Sequence, residues 1–193
     1  MRFHYLEWGD LSGPRVVLLH GLGTNGHSWD RGSKVLAQKY RVLALDCRNH
    51  GDSDTTTDAT MLNQLSNDVG EIVDKLGIGK FGLIGLSMGG RTAMTYTGFN
   101  PERVERLVIE DIGPEAPPAH LARGRAPISP YSFTDFGHPA EYIEFQRKGR
   151  PHASQEWLEH LAQHSLIQQP TGRWMNKFRP FHEGRRIPGD LAV

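Results

Sequence analysis

Along the first 113 residues, short continuous apolar runs alternate with segments whose apolar positions recur every three or four residues. Arg15-Val16-Val17-Leu18-Leu19-His20, Arg41-Val42-Leu43-Ala44-Leu45-Asp46 and Phe81-Gly82-Leu83-Ile84-Gly85-Leu86 are the runs. Uninterrupted apolar stretches of this length fit strands buried on both faces, as in a parallel sheet. Residues 2–8 alternate weakly and read as an edge strand, and Arg106–Asp111 closes the series. Between the strands the spacing predicts helices from about Ser28 to Lys39, from about Asp58 to Leu76 and from Met88 to about Phe99. Gly77 supplies a C-terminal stop for the second helix, and Asn100-Pro101 ends the third. Strand and helix in alternation with short turns predict an α/β fold, a doubly wound and mostly parallel sheet covered on both faces.

After residue 113 the pattern changes. Residues 114–135 are rich in Pro, Ala, Arg and Gly and read as a linker. Pro139–Lys148 and Ser154–Gln168 read as helices, the second with Trp157, Leu158, Leu161, Ala162, Ser165 and Leu166 on one face. Beyond Pro170 no segment is as apolar as the earlier strands. The expected organisation is therefore a core over 1–113 and a linker with a helical region over 114–193.

Composition narrows the classes. At 193 residues the chain fits one domain of ordinary size. Lys+Arg 22 against Asp+Glu 22 leaves a net charge of +0, with no global field to attract nucleic acid or an anionic membrane. Mean hydropathy is −0.50, and no run approaches the roughly 20 apolar residues of a membrane span. The start at Met1-Arg2-Phe3-His4-Tyr5 has no signal-peptide core, and the single Cys47 excludes an internal disulfide. A cytoplasmic location is expected, with no nucleic-acid or membrane partner.

Three motifs carry chemistry. Gly85-Leu86-Ser87-Met88-Gly89, with Gly90 after it, lies directly after a buried strand and directly before a helix. That is the context in which G-x-S-x-G marks a nucleophile: the strand turns sharply, the glycines remove colliding side chains, and the helix N-terminus offers N–H groups to an oxyanion. Ser87 is the expected nucleophile. His20-Gly21-Leu22-Gly23 ends the first buried strand, and its Gly-rich loop can supply a second oxyanion donor. The backbone N–H groups of Leu22 and Met88 are assigned to that hole. His20 itself reads as a loop-bracing histidine. Asp46-Cys47-Arg48-Asn49-His50-Gly51-Asp52-Ser53-Asp54 reads as a turn held by side-chain-to-backbone hydrogen bonds.

In this order, and with Val108-Ile109-Glu110-Asp111-Ile112-Gly113-Pro114, the motifs resemble the α/β-hydrolase superfamily. The branch resembled is that of small serine esterases, enol-lactonases and cofactor-free haloperoxidases. The resemblance is dense over 1–113 and looser over 139–178, where Ser154-Gln155-Glu156-Trp157-Leu158 and Gly172-Arg173-Trp174 look like that family's helical cap. A serine at the turn sets the chain apart from epoxide hydrolases and haloalkane dehalogenases, which need a carboxylate there. In the family two further strands follow the cap, and their loops carry the acid and then the histidine. The present sequence reaches Ile187–Val193 about where the next strand would begin, so the resemblance implies a C-terminally incomplete core without the usual histidine. A truncated chain, a pseudo-enzyme and a rewired site each account for this.

Relatives that place the acid after the strand preceding the cap put Glu110 or Asp111 in that role. For the base, His138 in Phe136-Gly137-His138-Pro139 resembles the Gly-His of the family's C-terminal loop. His160 and His164 have metal-ligand spacing, but no Glu lies between them as in H-E-x-x-H; a partly solvated helix face is expected and no metal or cofactor is assigned. Trp29 and Phe133 are either acyl-pocket or packing residues. The expected function is hydrolysis of small or medium carboxylic esters, lactones included, through an acyl-enzyme on Ser87, with a small ester as the partner molecule. The alternative is a catalytically incomplete remnant that binds ligands or assembles with another chain. The strand around Leu107–Asp111 is expected at a sheet edge left open by the missing strands and covered either by residues 179–193 folding back or by the same strand of a second copy, which would form a homodimer.

Overall fold

A computed structural model describes residues 1–56, 62–113 and 135–179. Strands β1 (Tyr5–Trp8), β2 (Arg15–Leu19), β3 (Arg41–Leu45), β4 (Phe81–Leu86) and β5 (Val104–Glu110) form one sheet in the order β1-β3-β2-β4-β5. Only β1 runs antiparallel to its neighbour; the remaining pairs are parallel. Helices α1 (Asp30–Leu36), α2 (Leu62–Lys75) and α3 (Met88–Phe99) connect them, and a single 3₁₀ turn, Gly26–Trp29, leads into α1.

The apolar runs explain themselves through the period of two along a strand. Val17, Leu19, Leu43, Leu45, Phe81 and Leu83 face one cluster with Val69, Ile72 and Val73 of α2 and Ala93 and Tyr96 of α3. Val16, Leu18, Val42 and Ala44 face the other way, against Trp29, Leu36 and Tyr40. Both faces are thus covered, and the sheet is doubly wound as expected. Trp29 is a packing residue of this second cluster, which answers the alternative left open for it; Phe133 lies outside the described residues.

Helix α2 ends where Gly77 takes φ +64° and Ile78 N–H returns to the Val73 carbonyl at 2.8 Å, a left-handed stop that a side chain at 77 would strain. The first predicted helix is shorter than its pattern: α1 stops at Leu36, and Ala37–Tyr40 close onto it in tight turns. Strand β5 is the sheet's last strand among the described residues, with Val108 half exposed, in line with the expected open edge.

Residues 135–179 build a second unit. Helices α4 (Pro139–Gly149) and α5 (Gln155–Ser165) pack with an antiparallel three-stranded sheet of β6 (Asp135–Phe136), β7 (Leu166–Gln168) and β8 (Trp174–Asn176), in the order β6-β8-β7. Its core is Phe136, Tyr142, Leu158, Leu161, Ala162 and Leu166. The sequence reading predicted the helices and missed the strands. The α5 pattern was extended to Gln168, but Leu166 turns to φ −105°, ψ 147° and Leu166–Gln168 pair with Trp174–Asn176. Strands of two or three residues are too short to show an alternation.

The turn after β3 is fastened to α2 by a two-pronged ion pair: Arg48 Nε and Nη2 donate to the two Asp68 carboxylate oxygens, each at 2.6 Å, with both side chains largely buried. Removing one partner of such a pair strands the other charge. Arg48→Ala or Asp68→Ala is expected to cost about 3 kcal/mol, and replacing both by Met and Leu together to recover much of it. Urea unfolding midpoints of the two single variants, the double variant and the wild type test this.

Candidate active site

Ser87 stands between β4 and α3, one residue past the strand and at the N-cap of the helix, with φ 50° and ψ −108°. A non-glycine residue in that region stores about 1–3 kcal/mol of strain, so the surroundings must hold it there. They do so by close backbone approach. A Cβ on Gly85 would fall 2.3 Å from the Gly89 carbonyl oxygen, and one on Gly89 would fall 2.3 Å from that of Leu19. A Cβ on Gly90 would meet Ile112 at 2.6 Å. The three glycines of the motif are therefore steric necessities. Gly89 N–H donates to the His20 carbonyl at 3.1 Å, which seats the first turn of α3 on the end of β2.

That contact brings the Gly21–Gly23 loop to Ser87. Gly21 lies against Leu86, the residue before the serine. The N–H groups of Leu22 and Met88 find no acceptor among the described residues, the second because the first turn of a helix leaves its donors unpaired. The loop is braced by two buried histidines. His20 Nδ1 donates to the Gly21 carbonyl (2.8 Å), and its Nε2 accepts from Cys47 N–H (3.0 Å). His50 Nδ1 donates to the Arg48 carbonyl (2.9 Å), and its Nε2 accepts from Gly23 N–H (3.2 Å). Phe178 stacks on His50 with ring centroids 4.3 Å apart, so the end of the second unit seals this loop. The bracing role expected of His20 is what its contacts describe.

Asp46 is the hub of the third motif. Its Oδ1 accepts from Gly26 N–H at 2.6 Å; Oδ2 accepts from Asp52 N–H at 3.0 Å and meets His4 Nδ1 at 2.8 Å. A Cβ on Gly51, at φ +55°, would fall 2.2 Å from Oδ2, so the turn closes over the carboxylate only with glycine there. Beside it the buried Cys47 thiol is pushed up to about 12, first by burial and then by the Asp46 and Asp68 carboxylates.

Glu110 and Asp111 end β5, the strand beside β4. Leu86 pairs with Glu110, and Ser87 N–H donates to the Glu110 carbonyl at 2.9 Å. Asp111, one residue on, takes φ 56°, so two non-glycine residues of positive φ stand at adjacent strand ends. Ser87, Met88, Glu110, Asp111 and Leu22 thus gather at the carboxyl end of the parallel strands, where open α/β sheets bind ligands. His138 does not join them. It is exposed at the N-cap of α4, and its Nδ1 accepts from Ala140 N–H at 3.2 Å. Among the described residues no histidine ring touches Ser87 Oγ.

The structure also assembles a cluster that the sequence reading did not. His160 and His164 of α5, expected on a partly solvated face, are half-buried and meet His27 and Asp30 at the 3₁₀ turn and the start of α1. The His27 and His164 rings stack at 3.6 Å, His27 Nδ1 and His160 Nε2 lie 3.0 and 3.1 Å from Asp30 Oδ2, and Trp157 stacks on His160 at 5.1 Å. The i,i+4 spacing of one pair and the i,i+3 spacing of the other were visible; their meeting was not.

A sequence profile described as alpha/beta hydrolase fold matches residues 14–178. The chain belongs to this family. It is 31% identical over 163 residues to the 3-hydroxybutyrate-oligomer hydrolase of Cupriavidus necator, covering 82% of this chain and 56% of that protein. It is 28% identical over 193 residues to esterase Rv0045c of Mycobacterium tuberculosis, covering 97% of this chain and 62% of the relative. The crystal structure of that esterase superposes with a TM-score of 0.75 at 26% identity, over 93% of this chain and 60% of that one. Mouse epoxide hydrolase 4 is 32% identical over 148 residues, 75% of this chain and 41% of the relative. Overall similarity therefore does not separate ester from epoxide chemistry, and the residue at the turn must. The chain spans little more than half the length of these relatives, or less.

The two buried histidines give the site a pH dependence. Burial, and then the neighbouring His20, hold His50 down to about 3 from an ordinary 6.5. Burial also lowers His20, with the Asp46 carboxylate opposing. The unfolded chain takes up protons near 6.5 that the folded chain refuses, so stability is full above that pH and falls as pH drops from about 6.5 toward 3. Each histidine adds up to about 1.4 kcal/mol per pH unit to that slope. Urea midpoints between pH 7 and pH 5 test it, with His50→Gln expected to flatten the slope; a midpoint unchanged over that range would contradict it.

Proposed function

We propose that this chain carries the nucleophile and oxyanion hole of a serine hydrolase acting on carboxylic esters of small or medium acyl groups, lactones included. The observation that carries the reading is the backbone of Ser87, held at φ 50°, ψ −108° on the first turn of α3. That strain has a use if the hydroxyl must stand clear of the sheet beside unpaired N–H donors. Ser87 Oγ attacks the ester carbonyl carbon and the carbonyl π bond opens to an oxyanion. The Ser87 proton passes to the general base as Oγ attacks, and Leu22 N–H and Met88 N–H hold the oxyanion. Its collapse expels the alcohol, which takes that proton back, and leaves an acyl-serine. Water, deprotonated by the same base, hydrolyses this to acid and free serine. The family's epoxide hydrolases need a carboxylate where this chain has Ser87, which supports the ester reading over epoxide opening.

Of the two acid candidates, Asp111 is favoured: it stands past the last paired residue with a positive φ of 56°, whereas Glu110 is still within the strand ladder. His138 is this chain's candidate base, and reaching Ser87 would require it to leave its place at the α4 cap. The second unit, docked through Phe178 and α5, serves as the cap over the site. The absence of a histidine contact to Ser87 Oγ among the described residues favours a second reading, a ligand-binding remnant without turnover.

Hydrolysis of p-nitrophenyl butyrate, together with labelling by a fluorophosphonate located by mass spectrometry, tests both. The proposal expects labelling at Ser87 and a loss of turnover on the order of 10⁴-fold in Ser87→Ala. Full activity in that variant would sink it. Neither turnover nor labelling in the wild type would favour the remnant.

A further inference from the structure

The cluster of His27, Asp30, His160 and His164 lies outside the ester site and has no part in the proposed reaction. Its geometry is that of a ligand set. One atom from each residue, an imidazole nitrogen or a carboxylate oxygen, lies within 4.8 Å of all the others. Two of the separations are already close to final: 3.0 Å from His27 Nδ1 to Asp30 Oδ2 and 3.1 Å from His160 Nε2 to the same oxygen. Four ligands about 2.0–2.1 Å from a tetrahedral ion lie roughly 3.3 Å apart.

The packing around the cluster asks for a cation. Two imidazoles, of His27 and His160, meet one carboxylate, and a third, of His164, is stacked face to face on His27 at 3.6 Å, an arrangement that aromatic quadrupoles do not favour. Asp30 Oδ2 receives two rings, while Oδ1 is buried without a hydrogen-bond partner. The ligand scaffold is firm on both sides. His160 and His164 share one face of α5, and Trp157, one turn before His160, is stacked on that ring and lies 5.4 Å under the Arg31 guanidinium of α1. On the other side, Asn25 Nδ2 donates to the His164 carbonyl at 3.1 Å, and its Oδ1 accepts from His27 N–H at 3.0 Å. The other acid–histidine group, His4, Asp46 and Asp52, differs: Asp46 there is consumed by the Gly26 and Asp52 backbone donors.

We propose that His27, Asp30, His160 and His164 bind one divalent transition ion of the zinc class, joining α5 to the turn that follows the Gly21–Gly23 loop. Three imidazoles and one carboxylate suit zinc and its tetrahedral substitute cobalt better than calcium or magnesium, which take oxygen ligands. With all four protein ligands in place no open position remains, so the site is structural rather than catalytic. Binding opens the His27–His164 stack by side-chain rotation and locks the second unit against the core at His27, four residues beyond Gly23.

The test is metal binding by the full 193-residue chain. Chelator-treated protein is titrated with Co²⁺ and then Zn²⁺, followed by visible absorption and by thermal unfolding. Expected are one equivalent of Co²⁺ with the intense absorption of four-coordinate cobalt, its displacement by Zn²⁺, and a rise in Tm on the order of 5 °C that EDTA reverses. His164→Ala and Asp30→Asn should each weaken binding by more than roughly tenfold, while His152→Ala, at an exposed turn, leaves it unchanged. No stoichiometric binding, the weak spectrum of six-coordinate cobalt, or equal affinity in the His164 and Asp30 variants would each overturn the proposal. Because the wild-type spectrum reads coordination directly, a variant that fails to fold does not remove the test.

Discussion

The site exists because helix α3 comes down on the end of β2 with no side chain between them. Gly89 fits within a gap that a single methyl would overfill, and its N–H closes on the His20 carbonyl. Everything else at the site inherits its position from that contact. It fixes Ser87 at the apex of the turn, aligns the free donors of the first helical turn, and sets the His20 loop beside them. Interiors packed this tightly do not deform gradually. A larger residue at 89 would lift the helix from the strand and separate the nucleophile from its second donor in one movement.

A second tier of contacts stops the loop from drifting once the helix is seated. Asp46 is buried, yet its carboxylate is satisfied by backbone donors from two segments and by His4. Buried charge is tolerated when its lone pairs are used in this way. The same side chain thus orders the 46–54 turn, the start of the chain and the residue that opens the 3₁₀ turn. His20 and His50 extend the network to Gly21 and Gly23, and Phe178 covers it. A loop of small residues that would otherwise sample many conformations is held from below by hydrogen bonds and from above by an aromatic ring.

How much of this could be read from the sequence follows from the range of the interactions. Strand runs, the three helices of the core, the G-x-S-x-G turn and the bracing role of His20 rest on local periodicity and on steric demands within a few residues. They were legible for that reason. The edge position of β5 and the neighbourhood of Ser87 with Glu110 and Asp111 followed from the strand order that the resemblance implies. His138, followed by Pro139, has the sequence of a helix cap, and it takes that position at α4. His160 and His164 were read as a partly solvated face without a partner because nothing local announces His27, more than a hundred residues away, as their neighbour. The short strands β6, β7 and β8 are specified by their pairing within the second unit, not by their own composition.

The burial of Cys47 gives the molecule a built-in clock. A thiol with so high a proton affinity, enclosed beside two carboxylates, offers almost no thiolate to an electrophile while the fold is closed. Its backbone N–H is the one that His20 accepts, so the segment that encloses the sulfur is tied to the bracing of the serine's loop. The rate at which an alkylating reagent consumes this single thiol therefore counts openings of the loop. That reading comes from a residue with no role in the chemistry, and it needs no substrate.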